Sequence, residues 1–441
     1  MTEPWSPSEA ELEQIFAGLR SYARVVLAVS GGVDSMALMH LAAQWARSPK
    51  CDPPVLAVAT VDHGLRQGSA DDARHVVAVA GRLGLVAAVL TWSGEKPVQG
   101  LQERARDARY KLLEAHAASG AAGRCAVATA HTLDDQAETL LMRLARGSGP
   151  DGLRAMLPVR ALGHGTGADL VRPLLKISRE QLRGYLVANG LTWREDPSND
   201  DPRFERVRLR SAAGGLRDAG LTPQMLALAA SRQARAVEAL ERATDALQAA
   251  FLDVHGGMFA SIDAVRLAAQ PAEIRVRLME RVLAMFGGST PPADLAQVEQ
   301  LAELLARDGA LQATLGGCEV RACREEIRVF RESGRATLDA VELNPGEATT
   351  WDNRFRIKVT GGERSVIVRA LDPATRDDLR RRVRTRFLLP ARAAATLPAV
   401  WAGEDLISVG GLPGDFFPSR GGEALPCVET RFLHPMFAEP P

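Results

Sequence analysis

Three short apolar runs in the first half of the chain each end in a cluster of small or polar residues. The runs are Val25–Val29, Val55–Val61 and Cys125–Thr129, and segments with helical patterns follow near 69–84 and 99–119. Continuous apolar runs that alternate with helices are typical of parallel strands covered on both faces by helices. The sequence therefore predicts an α/β fold, built on a parallel sheet with helices on both faces.

The polar clusters all follow the carboxyl ends of the predicted strands, where ligands bind in open parallel sheets. They read SGGVDS at 30–35, DHGLR at 62–66 and AHTLDD at 130–135. Because parallel strands point the same way, these clusters are expected to meet at one edge of the sheet. The sequence thus predicts one composite site and not three separate turns.

The character of the chain changes after about residue 215. One long alanine-rich helix is predicted over 222–252, shorter helices near 261–286 and 292–307, and β-like patterns from 312 onward. A chain of 441 residues exceeds one ordinary hydrophobic core. We therefore expect a catalytic domain over 1–215, a helical domain over 216–310 and a smaller α+β domain over 311–441.

Composition and charge are those of an ordinary globular protein. Hydrophobic residues make up 46% and charged residues 24%, and the formal net charge is zero. The whole chain is therefore no obvious polyanion binder, although a basic face can exist within a neutral total. Five cysteines without C-x-x-C spacing favour free thiols in a reducing compartment. No apolar run reaches membrane-spanning length, about twenty residues, so a cytoplasmic protein without membrane contact is expected.

The SGGVDS loop has the composition of a phosphate-binding turn between a strand and a helix. Its six residues are Ser30, Gly31, Gly32, Val33, Asp34 and Ser35. Unpaired N–H groups at the helix start favour an anion, and the two glycines allow positive φ and close approach. The Walker lysine is absent, and Asp34 would repel phosphate unless Mg²⁺ lay between them. A glycine turn that merely caps the helix is the alternative, and the loop alone does not decide between the two.

A cluster of carboxylates begins the helix predicted after the third strand. Asp134, Asp135 and Glu138 lie in its first turns, and the last two, three residues apart, share one face. Carboxylates at a helix N-terminus can act simply as caps. The other interpretation is a site for a cation, such as an ammonium group, which needs acceptors.

Several of these stretches resemble one known group of enzymes. SGGVDS is similar to the PP-loop of ATP pyrophosphatases, which split ATP between its α- and β-phosphates and have the fold of adenine nucleotide α-hydrolases. Other stretches resemble the tRNA(Ile)-lysidine synthetase family. They are VDHGLR at 61–66, AHTLDDQAETLLMRLARGSGPDGLRAM at 130–156, RPLL at 172–175 and EDPSNDD at 195–201, with weaker matches in WDNRF at 351–355 and LPAVWAGEDLISVGGL at 397–412.

The resemblance implies a reaction and its cofactors. ATP with Mg²⁺ would adenylate C2 of the wobble cytidine in a tRNA(Ile) with a CAU anticodon, and free lysine would then displace AMP to give lysidine. The SGGVDS loop and His63 would contact ATP, with Asp34 as the residue that recruits Mg²⁺. His131, like His63, is a candidate for contact with the nucleotide, and no proton transfer is assigned to either histidine. A homodimer is left open.

The resemblance also implies the lysine site. Asp135 and Glu138 would hold the amino group of lysine, which makes them, with Asp34, the candidate catalytic residues. The lysine carboxylate would need a cation, for which Arg109 is the first candidate and Arg106 the second. Each of these arginines could instead belong to a solvated helix face.

Other basic residues are candidates for contact with the tRNA or the adenylate. Arg206 and Arg210 follow the acidic loop at 195–201, but Val207 stands where the family leads us to expect asparagine, which weakens the assignment of Arg206. A run of six arginines could clamp RNA phosphates or form a solvated helix partly neutralised by Asp377 and Asp378. The run consists of Arg376, Arg380, Arg381, Arg382, Arg384 and Arg386.

Three other functions remain open from the sequence. A tRNA 2-thiolation enzyme would share the PP-loop, but such chemistry usually draws on cysteine pairs that this chain lacks. A non-catalytic nucleotide- or RNA-binding protein on the same fold would not need the acidic pair. A ligase that adenylates a carboxylate would keep SGGVDS but has no reason for the HTLDDQAET stretch.

Overall fold

The protein divides into two compact units, Met1–Val237 and Glu238–Pro441. The computed structural model describes residues 5–48, 52–64, 68–93, 101–120, 122–163, 167–195, 203, 205–288, 290–307, 310–334, 338–383, 389–413, 417 and 426–433. The first unit contains the whole of the predicted catalytic domain. The division of the remainder into two domains stays a prediction.

The first unit is built on a six-stranded sheet. Its strands are β1 (Arg24–Ala28), β2 (Val55–Asp62), β3 (Val86–Thr91), β4 (Cys125–Ala128), β5 (Val159–Ala161) and β6 (Asp169–Val171). The strand order is β3-β2-β1-β4-β6-β5, and all neighbours are parallel except β5, which runs antiparallel to β6. The predicted parallel sheet is confirmed.

Helices cover both faces of this sheet. They are α1 (Glu9–Phe16), α2 (Val33–Ala46), α3 (Ser69–Arg82), α4 (Leu101–Ala118), α5 (Leu133–Ala145), α6 (Pro150–Leu153), α7 (Arg179–Ala188), α8 (Glu205–Ser211), α9 (Ala213–Asp218) and α10 (Pro223–Phe251), which continues into the second unit. Successive side chains of a strand point to opposite faces. Val25 and Leu27 of β1 therefore pack with α1, α2, α3 and α7, whereas Val26 packs with α4.

The strand order reverses between β1 and β4. The chain runs outward from β1 through β2 to β3, and then returns to place β4 on the other side of β1. Open α/β sheets bind ligands at such a switch point, beyond the carboxyl ends of the strands. The SGGVDS loop follows β1 and the AHTLDD cluster follows β4, so the topology brings them together there.

The second unit is largely antiparallel. Its strands are β7 (Leu252–His255), β8 (Phe259–Asp263), β9 (Leu311–Leu315), β10 (Cys318–Ala322), β11 (Glu326–Arg331), β12 (Val341–Leu343), β13 (Ala348–Trp351), β14 (Phe355–Gly361), β15 (Val366–Ala370), β16 (Pro398–Ala402), β17 (Asp405–Val409) and β18 (Cys427–Phe432). They form sheets in the orders β7-β8-β11-β10-β9, β12-β15-β16-β17 and β13-β14-β18. The helices are α11 (Ala264–Ala268), α12 (Ala272–Phe286), α13 (Leu295–Ala306), α14 (Pro373–Val383) and α15 (Ala391–Ala394).

A buried ionic cluster lies in the core of the second unit. The Asp352 carboxylate accepts hydrogen bonds from Arg331 Nε at 2.8 Å and from Arg354 Nε at 3.0 Å. All three side chains are almost fully buried. Because burial of a lone charge is costly, the shared carboxylate is required for either arginine to be tolerated in the core. This explains part of the WDNRF stretch in structural terms.

No described helix combines the length and apolar character needed to cross a bilayer. The described cysteines, Cys125, Cys318, Cys323 and Cys427, are all free thiols.

Candidate active site

The SGGVDS loop joins β1 to the start of α2. Gly31 has a φ of 91°, a conformation that side-chain-bearing residues rarely adopt, so glycine is required there. Gly32 is the N-cap of α2 with a φ of −75°, so the prediction of a positive φ at both glycines is wrong for Gly32. A Cβ on Gly32 would be in ordinary van der Waals contact with Ser30 Oγ at 3.9 Å, so glycine is not required at this position by the protein alone.

Helix α2 begins without a side-chain cap. Ser35 Oγ donates to the Gly32 carbonyl at 2.9 Å, and the Ser30 N–H donates to Ser35 Oγ at 3.2 Å, so the serines brace the turn. The first N–H groups of α2 are therefore left for another acceptor. Together with the helix dipole, they make an anion site at the carboxyl end of β1.

Asp34 lies in the first turn of α2 and faces other charged groups. Its Oδ2 accepts a hydrogen bond from Arg179 Nε at 2.9 Å, while Oδ1 is buried and has no hydrogen-bond partner. Burial raises the pKa of this carboxyl, and Asp135 and Asp134 add to the rise, while Arg179 opposes it. An unpartnered carboxylate oxygen beside an anion site is suited to a bound cation.

Arg179 links the two clusters that the sequence analysis identified separately. Besides its bond to Asp34, its Nη2 lies 3.6 Å from Asp135 Oδ1. It is the first residue of α7, and its backbone N–H donates to Asp134 Oδ2 at 2.7 Å. Arg179 was not predicted from the sequence, although a positive charge in the first turn of a helix is unusual because the helix dipole disfavours it.

Asp135 caps helix α5 and also faces two guanidinium groups. Oδ2 accepts from the backbone N–H of Thr132 at 2.9 Å and from its hydroxyl at 2.8 Å, in a capping box at the start of α5. Oδ1 faces Arg179 and lies 3.5 Å from Arg206 Nη1. Burial would raise the pKa of Asp135, but Arg179 and the Thr132 donors outweigh it and hold the pKa below its usual value. Asp135 is therefore a buried, ionised cap with one oxygen toward the site.

Glu138 lies one turn further along the same face of α5. Its carboxylate receives two bonds from one guanidinium, Arg210 Nε to Oε1 at 2.6 Å and Arg210 Nη2 to Oε2 at 3.2 Å. A second ion pair, between Arg146 and Glu205, also joins α5 to α8. The two carboxylates predicted to bind an ammonium group thus face Arg206 and Arg210 of α8.

His131 is half-buried near Asp135, and its Nδ1 lies 2.9 Å from Thr129 Oγ1. Burial lowers the pKa of His131 to about 3, and the charges of Arg172, Arg106 and Arg206 add to this, while Asp135 opposes it. The imidazole is therefore neutral at physiological pH.

We expect the His131 signals in an NMR titration to stay constant from pH 8 to pH 5. Its pKa is depressed in the folded state relative to about 6.5 when unfolded, so protonation favours unfolding. The stability that the neutral ring contributes is complete above about pH 6.5 and is lost as the pH falls toward 3. His131→Asn identifies the signals, and a midpoint near 6.5 would contradict the burial of this ring.

The other predicted ligands, His63 and Arg109, make contacts with neighbouring aromatic rings. His63 follows β2, and its ring packs edge-to-face on Trp92 with centroids 6.2 Å apart. Arg109 makes no described contact with Asp135 or Glu138; its guanidinium lies 5.2 Å from the Tyr110 ring centroid, as does that of Arg106.

The predicted residues 65–66 and 196–201 lie outside the described part of the chain. Within the described part, no three His, Cys, Asp or Glu side chains form a ready metal site.

The described arginines of the C-terminal run lie on α14. Arg376 and Arg380 lie 3.5 Å and 3.9 Å from Asp377 Oδ1, and Arg381 lies 3.7 Å from Asp378 Oδ1. The predicted partial neutralisation of this helix is present. The side chain of Arg382 and the whole of Arg384 and Arg386 lie outside the described part of the chain.

Comparison with known proteins places this arrangement in a family. Residues 5–214 match the family described as the PP-loop domain. One solved structure, the U34-tRNA thiolase NcsA from Methanococcus maripaludis, aligns with 52% of this chain and 78% of its own, at 17% identity and a TM-score of 0.43. That similarity is too weak to support an argument about fold or function.

Curated relatives match over nearly the whole of their length. The tRNA(Ile)-lysidine synthase of Bradyrhizobium sp. strain BTAi1 is 44% identical over 342 residues, which cover 73% of this chain and 94% of the relative. That of Ruegeria pomeroyi is 40% identical over 395 residues, covering 87% and 88%. That of Wolbachia pipientis wMel is 35% identical over 351 residues, covering 79% and 80%. The chain therefore belongs to the tRNA(Ile)-lysidine synthase family.

Proposed function

We propose that this protein ligates free lysine to C2 of the wobble cytidine in the CAU anticodon of tRNA(Ile), with ATP converted to AMP and pyrophosphate. One observation carries the proposal within this family. The SGGVDS loop and the carboxylates of α5 meet at one edge of the sheet and are joined there by Arg179. An anion site and a cation site thus lie side by side, as a reaction between a nucleotide and an amine requires.

The reaction has two steps that balance without a covalent enzyme intermediate. The O2 atom of cytidine attacks the α-phosphorus of ATP, and the bond to the β-phosphate breaks to release pyrophosphate. The ε-amine of lysine then adds to C2, the C2–O bond breaks, AMP leaves and the amine loses a proton. Both steps depend on positioning and on stabilisation of charge at phosphorus.

The residues of the SGGVDS loop bind and orient the phosphates in this proposal. The uncapped N–H groups of α2 bind the phosphates, and the hydroxyls of Ser30 and Ser35 hold the loop in the shape that presents them. The unpartnered Oδ1 of Asp34 fits Mg²⁺, which proteins often bind through one or two carboxylates together with substrate phosphates. When bound, the ion supplies neutralisation of phosphate charge. His63 contacts the nucleotide.

Lysine binds at Asp135 and Glu138 through its ε-amino group. The carboxylates provide acceptors for the ammonium form, and Asp135 is held ionised by the charge of Arg179 and by its hydrogen bonds from Thr132. Glu138 then accepts the proton as the amine attacks. The lysine carboxylate binds Arg109. In the absence of substrate, Arg206 and Arg210 form ion pairs with these carboxylates. When the tRNA binds, the two arginines move to contact the tRNA or the adenylate.

Arg210→Gln is expected to strengthen the binding of free lysine by about tenfold, because the bidentate guanidinium no longer competes for Glu138. Equilibrium dialysis with radiolabelled lysine measures this in the absence of tRNA. Arg208→Gln is the matched control, since Arg208 lies on the same helix and bonds to the Arg203 carbonyl at 3.0 Å. Unchanged lysine affinity in Arg210→Gln would contradict the assignment of Glu138.

The products of ATP distinguish this function from alternatives. Thin-layer chromatography of α-³²P-labelled ATP, incubated with protein, unmodified tRNA(Ile) and lysine, should show AMP that depends on the tRNA. ADP as the product would exclude attack at the α-phosphate and overturn the proposal.

We further propose that the protein works in the cytoplasm, in keeping with its free thiols, and that the arginines of α14 contact tRNA phosphates.

A further inference from the structure

A group of four arginines surrounds the buried phenol of Tyr110, beside the proposed lysine site. The guanidinium carbons of Arg106 and Arg109 lie 5.2 Å from the ring centroid, and that of Arg160 lies 5.9 Å from it. The fourth, Arg172, follows β6 and is 6% exposed. We call these four residues the Tyr110 arginine cluster.

The cluster has no acidic partner in the described part of the chain. No carboxylate lies within ion-pair distance of its guanidinium groups there, and the nearby Asp107 pairs with Lys111 instead. Arg172 is buried, and its Nε has no hydrogen-bond partner. Like charges gathered this closely repel one another, so the cluster is suited to anions that come from outside the protein.

The electrostatics of the neighbouring groups agree with this charge surplus. Burial lowers the pKa of Arg172 to about 10, and the charges of Arg160, Arg106 and Arg143 add to the fall, while Tyr110 opposes it. Burial would raise the pKa of Tyr110, yet Arg109, Arg106 and Arg172 hold it below the usual value. The arginine charges therefore act on one another. A single anion bound among them would reduce the repulsion between several pairs at once.

The cluster is close to the carboxylates that carry the proposed chemistry. Arg172 follows Val171, whose carbonyl accepts a hydrogen bond from the Thr129 N–H at 3.0 Å, and Thr129 Oγ1 lies 2.9 Å from His131 Nδ1. The charges of Arg106, Arg172 and Asp135 all act on that ring. Arg106 and Arg160 are exposed, so the cluster is open to solvent as well as adjacent to the site.

One lysine carboxylate neutralises one of these four charges, and Arg109 is sufficient for it. RNA supplies one phosphate per nucleotide, and such backbone charges account for most of the affinity of proteins for nucleic acids. We propose that Arg106 and Arg160 bind backbone phosphates of the RNA strand next to the reacting nucleotide, while the buried Arg172, whose Nη1 donates to the Leu157 carbonyl, adds positive charge beneath them. This inference rests on the proposed function and adds an RNA site within the first unit.

Arg160→Ala tests the inference, because Arg160 is exposed on β5 and its one described hydrogen bond is to the Ala161 carbonyl at 3.4 Å. Filter binding of unmodified tRNA(Ile) transcript, without ATP or lysine, should show about tenfold weaker binding near 0.1 M salt. The slope of log affinity against log salt should fall by about one. The KM for lysine should stay unchanged, and Arg160→Lys should restore most of the affinity.

Arg20→Ala is the matched control, since Arg20 is another exposed arginine, located before β1 at the opposite edge of the sheet and paired with Glu13 at 2.8 Å. It should leave both the affinity and the salt slope as in the wild type. Unchanged RNA binding in Arg160→Ala, with wild-type lysine incorporation intact, would overturn this inference alone. A raised KM for lysine without loss of RNA affinity would assign the cluster to the amino acid instead.

Discussion

Asp34→Ala is expected to reduce tRNA-dependent AMP formation to below about 1% of the wild-type rate. The Asp34 carboxylate offers a buried, unpartnered oxygen beside the phosphate site, and loss of charge stabilisation at a reacting phosphate typically costs ~100-fold or more. Release of labelled AMP from α-³²P-ATP measures the effect under saturating Mg²⁺. Retained AMP formation would show that Asp34 does not act in adenylation.

Asp169→Ala provides the control for this substitution. Asp169 is as exposed as Asp34, 20% for each side chain, and is likewise paired with an arginine, Arg124 at 3.0 Å. It begins β6 and so lies at the amino edge of the sheet, away from the SGGVDS loop. We expect AMP formation within about threefold of the wild-type rate, since the contacts that are lost, an exposed ion pair with Arg124 and a hydrogen bond from the Tyr22 hydroxyl at 2.9 Å, lie away from the reacting groups. An equal loss in both variants would indicate general destabilisation of the unit.

Glu138→Ala is expected to separate the two steps of the reaction. Adenylation of the tRNA should continue, because Glu138 contacts Arg210 and not the SGGVDS loop. Lysine transfer should fall roughly 10- to 100-fold, since a charge-assisted contact to the amine is lost. Labelled ATP follows the first step and labelled lysine the second. If adenylation fell as far as transfer, the division of roles between Asp34 and Glu138 would be wrong.

Glu205→Gln controls for movement of α8 in this experiment. Glu205 pairs with Arg146 and so joins the same two helices as the Glu138–Arg210 pair. If Glu138→Ala acted only by releasing α8, Glu205→Gln would slow lysine transfer to a similar extent. We expect this control to slow transfer by less than about threefold, because an exposed ion pair contributes little.

The position of the site could be predicted from sequence because it depends on local patterns. Each apolar run was long enough to be recognised as a strand, and its polar end then had to lie at the carboxyl edge of the sheet. Likewise, the spacing of Asp135 and Glu138 places them on one helical face wherever that helix lies. These features do not depend on the rest of the chain, so the structure retains them.

Contacts between distant segments could not be predicted in this way. Arg179 and Asp34 are separated by 145 residues and meet only because α7 packs against α2 on the same face of the sheet. The pairing of Arg210 with Glu138 similarly depends on how α8 comes to lie against α5 after the chain has passed through α7. Local periodicity contains no information about which distant helices pack together.

The strands β7 and β8 were missed for a different reason. The long helix α10 leads directly into β7, so its pattern obscured the short strands that follow. The turn between them contains Gly256 and Gly257, with φ of 58° and 75°. A Gly-Gly pair between short apolar runs is a hairpin signal that could have been recognised.

Incorporation of radiolabelled lysine into an unmodified tRNA(Ile) transcript with a CAU anticodon, in the presence of ATP and Mg²⁺, is the decisive test of the proposed ligation. We expect up to one lysine per tRNA, attached at the wobble cytidine, with one AMP and one pyrophosphate released for each. A transcript in which that cytidine is replaced by uridine should accept none. Absence of label in the tRNA(Ile) transcript at saturating ATP, Mg²⁺ and lysine would show that the protein does not ligate lysine to this cytidine.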